Sequence, residues 1–119
     1  MRQSTVFRRS ELYRDAIRVM ELDYANEDLS LARVAHRIAT SRRQLQRAFA
    51  EAGGTSFRRE LQRIRMARAA ELLREGEHSV GDVAGAVGYR QAAQFAKAFR
   101  RHHGAPPSSF RGQNTPLAA

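Results

Sequence analysis

Within the 119 residues of this chain, the side chains best suited to do chemistry are four near neighbours: Arg42, Arg43, Gln46 and Arg47. Their spacing places them along one stripe if the segment is helical. An arginine guanidinium donates two parallel hydrogen bonds to guanine O6 and N7, and a glutamine carboxamide matches adenine N6 and N7. Lysine cannot copy that planar fork, and the chain has a single lysine, Lys97, so 20 of its 21 cations are arginines. A second set follows some fifty residues on: Gln91, Ala92, Ala93, Ala96 and Lys97, flanked by Arg90 and by Arg100-Arg101. Its chemistry is plainer. The alanines can pack on thymine methyls or admit phosphates closely, while Lys97 and the arginines supply charge. The bland alternatives are an arginine-rich coding bias for the composition and an ordinary solvated helix face for the stripe.

The placement of charge bears on that choice. The formal charge is +9, but residues 29–65 carry +7 and residues 81–119 carry +4, while residues 1–28 and 66–80 carry −1 each. Two basic blocks separated by a neutral one are the pattern of two footprints on one polyanion. Composition also excludes. There is no cysteine, which removes disulfides, zinc–thiolate sites and a cysteine nucleophile. No apolar run approaches the ~20 residues that span a bilayer. Arg8-Arg9 is followed by Glu11, Arg14 and Asp15 where an export signal needs an apolar stretch, so the chain reads as cytoplasmic. Neither a Ser-His-Asp constellation nor a phosphate-binding loop is present, and the expectation is a non-enzyme without cofactor or metal. His102-His103 reads as a solvated helix end, because adjacent helical residues point about 100° apart.

The elements that must hold these residues read as helices throughout. Ser10 is the expected cap of a first helix with Leu12, Ala16, Val19 and Met20 inward. Ser30 caps a second with Leu31, Val34, Ala35 and Ile38 inward. Ser41 caps a third with Leu45, Ala48 and Phe49 inward, ended by Gly53-Gly54. Thr55 or Ser56 opens a long fourth helix with Phe57, Leu61, Ile64 and Leu72 on one stripe, stopped near Gly76. Ser79 caps a fifth holding Val80, Val83, Ala84 and Val87, and a sixth carries Phe95 and Phe99 until Gly104, Pro106 and Pro107. A last turn forms near Phe110, and residues from Gln113 on are a tail. The expected division is 10–54, a linker helix at 55–76, a second subdomain at 77–112, and the tail at 113–119.

Two of these segments repeat one another. Val34-Ala35, Ile38, Ala39, Leu45 and Phe49 match Val83-Ala84, Val87, Gly88, Phe95 and Phe99, offset by 49 residues through the turn and 50 beyond it. Each copy is a helix, a tight turn at a small residue, and a helix, with a small Ala35 or Ala84 where the helices cross. That is helix-turn-helix logic, in which the second helix enters the major groove. The fourth helix, at ~1.5 Å per residue, is roughly 30 Å long, near the ~34–36 Å between successive major-groove faces.

In order and spacing these motifs resemble the DNA-binding domain of the AraC/XylS family of bacterial transcription regulators. The likeness runs from about Ala16 to Arg111. It rests on Leu29 to Ala35, Ser41 to Phe49, Gly54 to Phe57, Arg65 to Leu73, Val83-Ala84, Val87 to Tyr89, Phe95 and Phe99, Gly104 with Pro106-Pro107, and Phe110-Arg111. The resemblance implies an all-α fold of seven helices: two helix-turn-helix subdomains joined by a long linker helix. It further implies a monomer reading an asymmetric duplex site, contact with RNA polymerase as an activator, and no small-molecule effector within this chain. By position, the family's base contacts fall on Arg43, Gln46 and Arg47 and on Ala92, Ala93, Ala96 and Lys97. Arg42 and Gln91 extend the two sets at the turns, and the second helix departs from the family's polar pattern. Arg111 falls on a position that meets the DNA backbone, and Ser41, Arg90, Arg100 and Arg101 are the other expected backbone contacts. Two alternatives stand beside this expectation: the DNA-binding piece of a larger effector-sensing regulator, and a sequence-tolerant nucleoid or RNA-binding module.

Overall fold

A computed structural model describes residues 2–112, with side chains from residue 4; the expected tail at 113–119 lies outside the described residues. The elements, in order, are α1 (Arg2–Asp23), α2 (Leu31–Arg37), α3 (Arg42–Gly53), α4 (Phe57–Glu75), α5 (Val80–Ala86), α6 (Ala92–His103) and a 3-10 turn (Pro107–Phe110). Every regular element among the described residues is therefore a helix, the seventh being a single 3-10 turn. Serine caps set most of the starts. Ser30, Ser41, Ser56 and Ser79 each accept a backbone N–H three residues on, at 3.0–3.2 Å, which satisfies one of the amide donors a helix start leaves open.

The chain forms two compact units. Residues up to Tyr24 and Asp28–Gln62 make the first; Ala25–Glu27 and the residues from Arg63 onward make the second. In the first, α1 and α2 pack on α3 around Leu12, Ala16, Met20, Val34, Ala35, Leu45, Ala48 and Phe49. Tyr13 sets its ring edge-on to Phe49 at 5.4 Å. Gly53 makes room for it, since a Cβ there would stand 2.4 Å from the Tyr13 ring. In the second unit α5 packs on α6, and Met66, Ala69, Ala70, Leu73, Val83, Val87, Phe95 and Phe99 are buried.

Three expectations change. Helix α1 does not begin at Ser10 but at Arg2. Nothing between residues 2 and 9 is glycine or proline, and Arg9 forms an ion pair with Glu51 of α3, so the helix propagates upstream and docks. The fourth helix does not keep one inward stripe. Glu60 and Leu61 are buried in the first unit and Met66, Ala69, Ala70 and Leu73 in the second, while Phe57, Ile64 and Leu72 are only half-buried; each core selects its own face. His103 is no solvated residue either. Its ring lies 4.3 Å from Phe99 and 5.2 Å from Phe110, and its Nε2 is 3.0 Å from the Met66 carbonyl oxygen.

The two turns agree closely. Thr40 N–H donates to Ala35 O at 2.9 Å and Tyr89 N–H to Ala84 O at 2.9 Å; Ala39 to His36 and Gly88 to Gly85 are both 3.2 Å. The turn residue has φ +58° at Ala39 and φ +96° at Gly88, a region where a Cβ costs about 1–2 kcal/mol. The first copy thus carries strain that the second avoids. Ala39→Gly is expected to raise stability by about 0.5–1 kcal/mol, and Gly88→Ala to lower it by about 1–2 kcal/mol, both read from urea denaturation midpoints.

Candidate nucleic-acid interface

In the first unit, the Ser41 cap starts α3 so that Leu45, Ala48 and Phe49 are buried. Arg42, Arg43, Gln46, Arg47 and Ala50 are then all exposed on the opposite side. The structure thus brings the four expected readers onto one face. Ser41 is exposed at the amino end of that helix, its hydroxyl oxygen taking the Gln44 N–H at 3.1 Å.

Three arginines of this unit are ion-paired among the described residues. Arg9 is held by Glu51, Arg18 by Asp15 and Arg37 by Asp23. Among the described residues Arg42, Arg43 and Arg47 are held by no carboxylate. Arg8, Arg14, Arg33, Arg58 and Arg59 of the same unit are likewise held by no carboxylate, so what sets the α3 stripe apart is its place opposite the buried face of the helix. A charge with no internal partner retains most of its attraction for phosphate or a base edge.

The second unit repeats the geometry with different groups. Phe95 and Phe99 are fully buried. Gln91, Ala92, Ala93 and Lys97 are exposed and Ala96 is half-buried, so the outward face is mostly methyl groups around one ammonium. Gln91 stands at the amino end of α6 without using its side chain as a cap. Arg100 and Arg101 are exposed in the last turn, where they also complement the helix dipole. His102 stands beside them in the same turn. Burial chiefly, then the neighbouring His103 and Arg63, hold its pKa below the ordinary imidazole value.

Two expected backbone residues already have partners inside the second unit. Arg90 Nε lies 3.4 Å from Glu27 Oε2, and Arg111 Nε donates to the His78 carbonyl oxygen at 3.1 Å; both side chains are exposed. Sequence reading gave Arg65 no role. Its guanidinium donates to the Asn26 carbonyl oxygen at 2.9 Å, lies 5.8 Å from the Tyr89 ring centroid, and has its pKa lowered mainly by burial. It ties residues 25–27 and the turn at Tyr89 to α4. The only sequence signal for this was an arginine whose neighbours Met66 and Ala69 belong to a core.

Residues 34–113 match the model of a helix-turn-helix domain family. The chain is 29% identical over 90 residues to the probable transcription factor PqrA of Proteus vulgaris, covering 76% of this chain and 74% of that protein. It is 34% identical over 89 residues to the transcriptional activator RhaS of Escherichia fergusonii, which covers 75% of this chain but only 32% of RhaS. Among solved structures, a transcriptional regulator with an AraC-type DNA-binding domain from Chromobacterium violaceum superposes with a TM-score of 0.82 at 28% identity, covering 91% of this chain and 96% of that one. Duplicated helix-turn-helix geometry, an exposed arginine stripe and these relatives converge: the chain belongs to the AraC-type helix-turn-helix family of DNA-binding transcription regulators.

Proposed function

We propose that this chain is a sequence-specific duplex-DNA reader that acts as a monomer, with α3 and α6 entering adjacent major-groove segments of an asymmetric site. The observation that carries this reading is the outward stripe of α3, where exposed Arg42, Arg43, Gln46 and Arg47 lie opposite the buried Leu45, Ala48 and Phe49. Arg43, Gln46 and Arg47 discriminate bases, with Arg42 beside them at the amino end. Gln91, Ala92, Ala93, Ala96 and Lys97 make the weaker second contact. Ser41, Arg90, Arg100, Arg101 and Arg111 hold the backbone. A tandem arrangement on one chain needs no palindrome, unlike a two-fold dimer. We assign it a non-catalytic, cytoplasmic role as an activator that meets RNA polymerase, in line with the activator RhaS. No helix among the described residues is long and apolar enough to cross a membrane.

The inequality of the two contacts has its own test. Lys97→Ala is expected to weaken preferred and random duplexes alike and to lower the slope of log K against log [salt] by about one. Sedimentation on a duplex of ~20 base pairs, about two helical turns, tests the monomer. One chain per duplex supports it, and two chains per duplex contradict it.

A further inference from the structure

The upstream part of α1 takes no part in the proposed reading of bases, and the helix-turn-helix match at residues 34–113 does not reach it. Here Ser4, Thr5, Arg8, Arg9 and Leu12 face Thr40 and Gln44 across an open groove of about 410 Å³, all within the first unit.

Helix geometry places this groove beside the recognition stripe. On α3, Gln44 stands about 100° around from Arg43, on the flank away from Gln46. Glu51, seven residues after Gln44, shares that flank. A major groove is ~12 Å wide, little more than the 10–12 Å diameter of a helix with its side chains. A phosphate strand therefore runs along each flank of any helix seated in it.

The groove's charges are arranged for such a strand. Glu51 would repel it, but Glu51 is paired with Arg9. Arg8, one residue earlier, is exposed and among the described residues has no carboxylate partner. Ser4 and Thr40 add hydroxyl donors and Gln44 a carboxamide N–H.

We propose that this groove is a DNA-phosphate site in which Arg8, with Thr40 and Gln44, grips the backbone strand on the α1 flank of α3. The inference rests on α3 entering the major groove and adds a contact from a segment outside the family match. Arg9 serves as a positioning residue that removes the opposing charge of Glu51.

Salt-dependent binding of the full chain with Arg8→Ala, Arg8→Lys and Arg18→Ala tests it, on a preferred and a random duplex. Arg18 pairs with Asp15 on the same helix and does not line the groove. Arg8→Ala is expected to weaken both duplexes by the same factor, about three- to tenfold near 0.15 M salt, and to lower the salt slope by about one. Arg8→Lys should restore the slope and Arg18→Ala should leave it alone. Ethylating one phosphate beside the α3 segment should hinder the unmodified protein and leave Arg8→Ala indifferent. An unchanged slope, or a loss confined to one base pair, overturns the inference. Arg47→Ala, run in parallel, separates the two claims. If it relaxes base preference while Arg8→Ala is silent, the phosphate site alone falls; if it weakens all duplexes equally while Arg8→Ala lowers the slope, base reading falls.

Discussion

Replacing Arg47 by alanine is expected to cost about 1–3 kcal/mol on the preferred duplex and far less on random DNA, flattening base preference in that half of the site. The expectation follows from three features of the side chain. It is exposed on α3, it has no carboxylate partner among the described residues, and its helix is fixed by buried Leu45, Ala48 and Phe49. A bidentate arginine–guanine pair is worth about 1–3 kcal/mol of discrimination, whereas a phosphate contact is worth the same on any sequence. Titration against a panel of single-base variants reads the difference. Equal weakening across the panel would make Arg47 a backbone contact and remove the main base reader from the account.

Phe99→Ala is expected to cost about 3–5 kcal/mol of stability, the range for deleting a fully buried phenyl ring. Phe99 is 0% exposed and is the hub of an aromatic cluster. Its ring stands edge-on to Phe110 at 4.9 Å, tilted to Phe95 at 5.7 Å, and 4.3 Å from His103. Removing it leaves a void among rings that cannot collapse without moving α6 off its partners. Chemical denaturation followed by circular dichroism measures the loss. Because Lys97, Arg100 and Arg101 depend on α6 for position, DNA binding should also lose about three units of salt slope. A stable, fully binding Phe99→Ala protein would mean that this core does not hold the second recognition helix.

Much of this architecture was legible in the sequence, because it rests on local rules. Ser30, Ser41, Ser56 and Ser79 lie just ahead of apolar periodicity, and each caps a helix. The 49-residue repeat announced two equivalent turns, and their hydrogen bonds match, at 2.9 Å and 3.2 Å in each. What was not legible depends on distant residues. Ser10 is a good cap in isolation, but α1 gains upstream from the Arg9–Glu51 pair. A single stripe was the natural reading of α4 until two cores divided it. His103 looked solvated because nothing nearby in sequence shows Phe110 or the Met66 carbonyl coming to meet it. The exposure of the α3 stripe was readable for the opposite reason: it is defined by what lies outward on one short helix. The partners that restrain Arg65 and Arg90 come from residues 26 and 27, which no local pattern connects to them.

The two helix-turn-helix copies are expected to contact one duplex unequally, the first reading bases and the second mostly supplying charge. Selection from random duplex DNA, followed by footprinting on a recovered site, tests this most directly. The expected result is an asymmetric footprint of ~20 base pairs, spanning two successive major-groove faces, with most sequence information in the half protected by Arg43, Gln46 and Arg47. A palindromic motif, no motif, or as much information in the half protected by Lys97 would contradict it.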